Sequence, residues 1–104
     1  MGAKDNARVI AGDYKKALRK IDGKIDIFFI DPPYESGLYE SCLSQIEILD
    51  LLSDEGIIIA EHQKSQNLPQ QIGRFIKIKE RKYGNTMISA YEFYRDDALD
   101  DIED

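Results

Sequence analysis

The sequence predicts an α/β domain in which helices cover the faces of a mostly parallel sheet that finishes in an antiparallel hairpin. Two short segments, residues 25–30 and 57–60, are apolar almost throughout, which is typical of strands covered on both faces. A segment with helical periodicity lies between them, at about residues 38–52. Period-two alternation on both sides of Gly84-Asn85 indicates the hairpin. Strands that alternate with helices in this way favour parallel βαβ units.

The chain opens with a predicted strand and helix. Residues 7–12 form a short strand that Gly12 ends, and Asp13 is placed to cap a helix that runs to about Ile21. The apolar positions of this helix recur on one face, at Tyr14, Ala17, Leu18 and Ile21. We therefore expect Asp13 to accept hydrogen bonds from the first main-chain N–H groups of the helix.

The central strand, residues 25–30, ends in the tetrapeptide Asp31-Pro32-Pro33-Tyr34. Two consecutive prolines end the strand because proline has no N–H for the sheet and has a fixed φ. The residue before a proline is also held in extended geometry. A carboxylate is therefore fixed at the carboxyl end of a buried strand, the edge at which open α/β sheets bind ligands.

This tetrapeptide suits the methylation of an exocyclic amine on a nucleobase. Such an amine is a poor nucleophile because its lone pair is delocalised into the ring. The Asp31 carboxylate and the Pro32 carbonyl could accept its N–H groups and stabilise the positive charge that develops during attack on a methyl donor. Pro33 would stiffen the corner, and Tyr34 would offer a flat ring on which an extruded base stacks. The alternative is a strand-ending turn in which Asp31 bonds its own backbone.

The second half of the chain predicts a helix, a turn and a strand. The helix at about residues 38–52 is followed by a turn at 53–56, and the strand at 57–60 ends in Glu61 and His62. The apolar stripe of the helix comprises Tyr39, Cys42, Leu43, Ile46, Leu49 and Leu52. We expect His62 to face solvent, and a general acid and base pair with Glu61 is the alternative. We expect no metal site, because the chain has a single His and a single Cys.

The last third predicts a loop, the hairpin and a tail. Residues 64–71 are polar, the hairpin strands lie at residues 75–83 and 86–94, and the acidic residues 96–104 are expected to be disordered. The first hairpin strand carries four basic residues, Lys77, Lys79, Arg81 and Lys82. A solvated edge strand, charged so that it resists pairing, is the favoured interpretation. Contact with an RNA backbone is the alternative.

Composition narrows the class of protein. A chain of 104 residues with 42% apolar and 33% charged residues fits one ordinary soluble domain. The net charge of −6 gives no basic footprint for nucleic acid, although six of the negative charges lie in the tail. Cys42 is the only cysteine, so no internal disulfide can form, and its apolar surroundings predict a buried hydrophobic side chain. No apolar run is long enough for a membrane span, and we expect a cytoplasmic protein.

Four stretches, taken in order, resemble the RsmD-like family of class I methyltransferases. They lie at residues 9–13, 31–34, 56–62 and 81–86. Members of this family use S-adenosylmethionine to methylate the 2-amino group of a guanine in 16S ribosomal RNA. The resemblance covers about residues 5–95 and implies a Rossmann-like fold.

The resemblance also implies roles for residues at the predicted strand ends. The catalytic set is the tetrapeptide itself: Asp31, Pro32, Pro33 and Tyr34. The residues implied to contact S-adenosylmethionine are Asp13, Tyr14 and Asp31, with Asp13 beside the adenine. The implied partner is 16S rRNA or the small ribosomal subunit. An adenine 6-amino methyltransferase of DNA or RNA uses the same tetrapeptide and is the alternative within this class.

The chain departs from the family because no Gly-x-Gly-type loop opens a helix anywhere in its sequence. Residues 1–95 therefore resemble the carboxyl-terminal part of a methyltransferase domain. A non-catalytic fragment or interaction domain is a second hypothesis. A missing neighbour for residues 7–12 would expose an apolar edge and face, which predicts a homodimer through the sheet edge.

Overall fold

The computed structural model describes residues 6–31 and 37–95, which form one six-stranded sheet and two helices. In chain order the elements are β1 (Ala7–Ile10), α1 (Tyr14–Arg19), β2 (Ile25–Ile30), α2 (Leu38–Ile48), β3 (Leu52–Gln63), β4 (Gln71–Ile72), β5 (Phe75–Tyr83) and β6 (Thr86–Phe93). The order across the sheet is β1-β2-β3-β6-β5-β4. Residues 96–104, for which a disordered tail is predicted, lie outside the described residues.

The predicted parallel half of the sheet is confirmed. β1 pairs in parallel with β2, with Val9 opposite Phe29. β2 pairs in parallel with β3, with Ile30 opposite Ala60. α1 connects the first pair, α2 connects the second, and the two helices contact each other. The carboxyl ends of β1, β2 and β3 consequently meet at one edge of the sheet.

The boundary between α2 and β3 differs from the prediction. α2 stops at Ile48 rather than near residue 52, and Asp50 turns the chain with a left-handed φ of 56°. β3 runs unbroken through residues 53–56, for which the sequence predicts a turn. The Ser53 hydroxyl donates to the Asp26 carboxylate of β2 at 2.7 Å. This hydrogen bond ties the predicted turn into the sheet.

The predicted hairpin is confirmed. β5 and β6 are antiparallel, and Gly84 supplies the positive φ of 60° that the connecting turn needs. An irregularity between Lys77 and Lys79 shifts the register within β5. The polar segment predicted as a loop ends in β4. The two residues of β4, the first of which is residue 71 of that segment, pair with the start of β5.

The basic strand is only partly the solvated edge that the sequence predicts. β4 covers β5 at residues 75–76 alone, and Lys79, Arg81 and Lys82 are exposed. Lys77 is different, because its Nζ donates to the Leu68 carbonyl at 2.8 Å and to Glu80 at 3.1 Å. Lys77 therefore fastens the segment before β4 to the sheet rather than facing water.

The two faces of the sheet differ. One face packs against the helices and forms the core with Ile10, Leu18, Phe28, Ile30, Tyr39, Cys42, Leu43, Ile46, Ile58 and Tyr91. The opposite side, which we call the open face, carries apolar residues that the described chain leaves half-buried or exposed: Val9, Ile27, Phe29, Ile57, Ile59 and Ile88. Val9 is 65% exposed and Phe29 is 41% exposed. Leu49, assigned to the helical stripe, is also 41% exposed, because α2 has ended before it.

Candidate active site

Asp31 follows β2 directly, at the carboxyl edge of the sheet. Its main-chain N–H donates to the Ile10 carbonyl of β1 at 2.9 Å, so the parallel pairing extends one residue beyond β2. The Asp31 side chain is exposed. It lines a groove of about 310 Å³ whose other walls are Val9, Phe29, Ile30, Ile59, Glu61 and Ile88. An exposed carboxylate thus lies at the end of a mostly apolar groove on the open face.

The rest of the tetrapeptide, Pro32, Pro33 and Tyr34, lies outside the described residues. The carbonyl acceptor and the stacking ring therefore stay predictions. Both flanks of the segment are defined. Asp31 is held to β1, and Gly37, with a φ of 92°, precedes α2 and accepts a hydrogen bond from the Ser41 N–H at 3.1 Å. The described chain therefore has a defined position on each side of residues 32–36, at Asp31 and at Gly37.

Asp13 follows β1 at the same edge. Its Oδ1 atom accepts hydrogen bonds from the main-chain N–H groups of Lys15 at 3.1 Å and Lys16 at 3.3 Å. The predicted helix cap is therefore confirmed. Tyr14 is 7% exposed, and its ring belongs to the core. Contact of either residue with a cofactor stays a prediction.

The prediction that His62 faces solvent is wrong. His62 is 2% exposed, with Nε2 2.8 Å from Ser89 Oγ and Nδ1 3.1 Å from the Gln63 carbonyl oxygen. Because a carbonyl can only accept, we assign the proton to Nδ1, and Nε2 then accepts from the Ser89 hydroxyl. The alternation of β3 places His62 on the covered face and Glu61 on the open face. These two side chains do not form a general acid and base pair.

Tyr39 extends the cluster around His62. Its hydroxyl donates to the Glu61 carbonyl at 2.7 Å, and its ring lies edge-on to the imidazole with centroids 5.9 Å apart. The sequence periodicity placed Tyr39 only in an apolar stripe and did not identify Ser89. Two features of the sequence could have identified these partners of His62. They are the hydroxyl of Tyr39 in the first turn of α2 and the position of Ser89 in the period-two alternation of β6. The cluster fixes the start of α2 to the end of β3.

Two shifted pKa values belong to the scaffold of the fold, away from the carboxyl edge. The Ser53 hydroxyl and the Asn6 N–H donate to Asp26, and they lower the pKa of its carboxyl group. Burial raises the pKa of the Cys42 thiol to about 12, so this side chain is an un-ionised hydrophobic group, as predicted.

Two kinds of feature are absent from the described part of the chain. No group of three or more His, Cys, Asp and Glu side chains within residues 6–31 and 37–95 is arranged to hold a metal ion. Neither of the two helices in these residues is long and apolar enough to cross a membrane.

Comparison with known proteins identifies relatives that match most of the chain. A family model described as "Conserved hypothetical protein 95" matches residues 1–92. "Putative rRNA methyltransferase YlbH" of Bacillus subtilis (strain 168) is 29% identical over 90 residues, which are 84% of this chain and 49% of the relative. "Ribosomal RNA small subunit methyltransferase D" of Escherichia coli (strain K12) is 29% identical over 93 residues, which are 89% of this chain and 46% of the relative. The chain spans about half the length of the curated relatives it matches.

The fold also has a solved counterpart. The structure named "Putative methyltransferase yhhF from Escherichia coli" matches with a TM-score of 0.67 and 26% identity, over 89% of this chain and 52% of that chain. The predicted class, an α/β methyltransferase-like fold, is confirmed.

Proposed function

The chain belongs to the family described as "Conserved hypothetical protein 95", and we propose that it forms part of an S-adenosylmethionine-dependent methyltransferase that acts on the 2-amino group of a guanine in 16S ribosomal RNA. The observation that carries the proposal is Asp31, an exposed carboxylate held at the carboxyl end of β2 beside an apolar groove. The names of two relatives, both of which refer to ribosomal RNA, support the substrate class.

Asp31 prepares the amine for attack. Its carboxylate accepts one N–H of the guanine amine while the Pro32 carbonyl accepts the other, which directs the nitrogen lone pair away from the base ring. Positive charge then develops on nitrogen beside a carboxylate, and Glu61 adds a second negative charge in the wall of the same groove. The methylated nitrogen loses its extra proton to Asp31 or to water. Removal of one such acceptor typically costs about 100- to 1000-fold in rate.

The two remaining members of the tetrapeptide position the base. Tyr34 stacks on the guanine once it leaves its helix, and Pro33 limits the movement of the corner. Base stacking on an aromatic ring is worth about 1–3 kcal/mol. Tyr34→Phe should therefore preserve transfer, whereas Tyr34→Ala should raise KM for RNA more than it lowers kcat.

We assign Asp13 and Tyr14 to the adenosine end of the methyl donor. S-adenosylmethionine supplies, when bound, a methyl group on a positively charged sulfur. Asp13 follows the strand next to β2, and its Oδ1 atom caps α1. In this proposal its Oδ2 atom accepts from the adenosine part. Tyr14 contributes through its main chain, because its ring is in the core. Asp13→Asn, which keeps a cap acceptor, should weaken S-adenosylhomocysteine binding about tenfold in calorimetric titration.

The choice of base is tested by analysing the product. Because the chain matches about half of its relatives, the assay uses a chimera in which this chain replaces the matched part of the Bacillus subtilis relative. Labelled S-adenosylmethionine and unmodified small subunits or 16S rRNA are incubated with the chimera, and the RNA is digested to nucleosides. The proposal expects label in N2-methylguanosine. Label in N6-methyladenosine would instead establish the alternative substrate, and unlabelled RNA would favour a non-catalytic interaction domain.

We also propose a partner for the chain as it stands, namely a second copy that pairs along β1. β1 lies at the end of the sheet, and Val9 on its open face is 65% exposed. Within residues 6–31 and 37–95 no strand pairs with the outer edge of β1, and an open strand edge beside an apolar side chain favours strand addition. Sedimentation should show a dimer that Val9→Lys weakens. A wild-type chain that stays strictly monomeric at high concentration would contradict this pairing.

A further inference from the structure

A polar groove of about 640 Å³ lies beyond the end of β3, beside the turn that joins β5 and β6. Five residues line it, namely Gln63, Lys64, Ser65, Asn85 and Thr86, and none of them is acidic. The Lys64 N–H donates to the Asn85 carbonyl at 3.0 Å, and Gln63 pairs with Thr86 across the sheet. Hydrogen bonds of the fold therefore hold together a wall of amide, hydroxyl and ammonium donors.

A second lysine lies near this groove. Lys82 of β5 pairs across the sheet with Met87, the neighbour of Thr86 in the groove wall, and the nearby Lys64 lowers the pKa of Lys82. Two other lysines have acidic partners: Lys24 pairs with Asp50 at 2.7 Å and Lys77 with Glu80 at 3.1 Å. Within the described residues, no carboxylate pairs with Lys64 or Lys82. Two ammonium groups in contact repel each other, and an anion between them would remove that repulsion.

We propose that Lys64, Lys82 and the donors of this groove bind a phosphate group of the RNA backbone near the methylated base. The choice of RNA as the source of the phosphate rests on the proposed function. Ammonium and hydroxyl donors without a carboxylate suit a phosphate oxygen.

The position of the groove agrees with this ligand. Ile30 lies opposite Ala60, so Asp31 is level with Glu61 at the carboxyl edge. Lys64 follows Glu61 by three residues, which is about 10 Å at roughly 3.3 Å per residue of strand. A base extruded towards Asp31 therefore leaves the adjoining backbone within reach of the lysine pair. The groove would hold the strand in place without reading its sequence.

The test compares two double variants of the chain that remove the same charge. Lys64→Gln with Lys82→Gln removes the proposed site, and Lys15→Gln with Lys16→Gln removes two exposed lysines of α1. Binding of a short single-stranded oligouridylate is measured by fluorescence anisotropy between about 50 and 200 mM salt. The proposal expects the first variant to bind at least about fivefold more weakly at low salt. Its slope of log affinity against log salt should fall in magnitude by about 0.7 for each phosphate that the variant no longer neutralises.

A second measurement locates the binding site. Amide signals of residues 63–65 and 85–86 should shift when oligouridylate is added to the wild-type chain, and the shifts should disappear in the first variant. Equal weakening in the two variants, or an unchanged salt slope in the first, would overturn the proposal. These readouts require no methyl transfer. If the first variant binds oligouridylate more weakly as expected but the enzyme is inactive, the proposed function is contradicted and the phosphate site stands. We expect both variants to melt no lower than the wild-type chain.

Discussion

Ser89→Ala tests the buried cluster that ties α2 to β3. Ser89 is fully buried, and its hydroxyl donates to His62 Nε2 at 2.8 Å. The substitution leaves a ring nitrogen without a partner at a position that is 2% exposed. An unsatisfied buried acceptor costs about 1–3 kcal/mol, which corresponds to a fall in Tm of at least about 4 °C in a domain of this size. Urea unfolding of the chain measures the loss as a lower midpoint at constant slope.

Two controls separate the hydrogen bond from the change in volume. Ser41→Ala makes the same substitution at an exposed position of α2 and should alter the free energy of unfolding by less than about 0.5 kcal/mol. In a His62→Leu background the acceptor is absent, so Ser89→Ala should cost much less than it does in the wild type. An equal cost in both backgrounds, or a loss below about 0.5 kcal/mol in the wild type, would refute the assignment of Nε2 as an acceptor that needs its partner.

Three further outcomes test the scaffold. A Cβ at Gly56 would lie 2.6 Å from the Leu52 side chain and 2.9 Å from the Asp26 carbonyl. Gly56→Ala should therefore lower the free energy of unfolding by about 1–3 kcal/mol in urea unfolding. Gly84→Asn should be tolerated, because this position is open and left-handed. The folded pKa of the Asp26 carboxyl lies below its ordinary value of 3.8. The contribution of this carboxylate to the free energy of unfolding is therefore present above that pH and is lost as pH falls through the folded pKa. Asp26→Asn should consequently make stability fall less steeply with decreasing pH in the acid range. Because the folded pKa of the Cys42 thiol is raised from 9.0 to about 12, stability should fall as pH rises between these values, and Cys42→Ala should remove that part of the alkaline slope.

Local signals were sufficient for the elements that frame the edge. The prolines after β2 predict a strand that ends before Asp31, and the place of Asp13 before an amphipathic segment predicts a helix cap. Both predictions depend on neighbours within a few residues. The glycine at the hairpin turn is of the same kind, because its backbone conformation is set locally. The apolar run of β2 predicts cover on both faces, whereas the described chain covers only one, and Phe29 is 41% exposed.

Long-range contacts account for the failures. Residues 53–56 have the composition of a turn, and a hydrogen bond from Ser53 to Asp26, 27 residues away, keeps them in β3. His62 is polar and follows the predicted strand at residues 57–60, which favours solvent, but its partner Ser89 is also 27 residues away. Only the register of β3 with β6 brings these two side chains together. Sequence periodicity assigns a face to each strand and does not specify which residues meet across it.

In the proposed function, Asp31 activates the amine that receives the methyl group. The most direct measurement is transfer of labelled methyl to unmodified 16S rRNA by the chimera with the Bacillus subtilis relative, comparing Asp31→Ala with Asp22→Ala, an exposed aspartate outside the groove. We predict that Asp31→Ala lowers the rate by at least about 100-fold with an unchanged urea midpoint, while Asp22→Ala retains full activity. An Asp31→Ala chimera that transfers methyl within about threefold of the parent, or a folded parent chimera that leaves the RNA unlabelled, would contradict this role for Asp31.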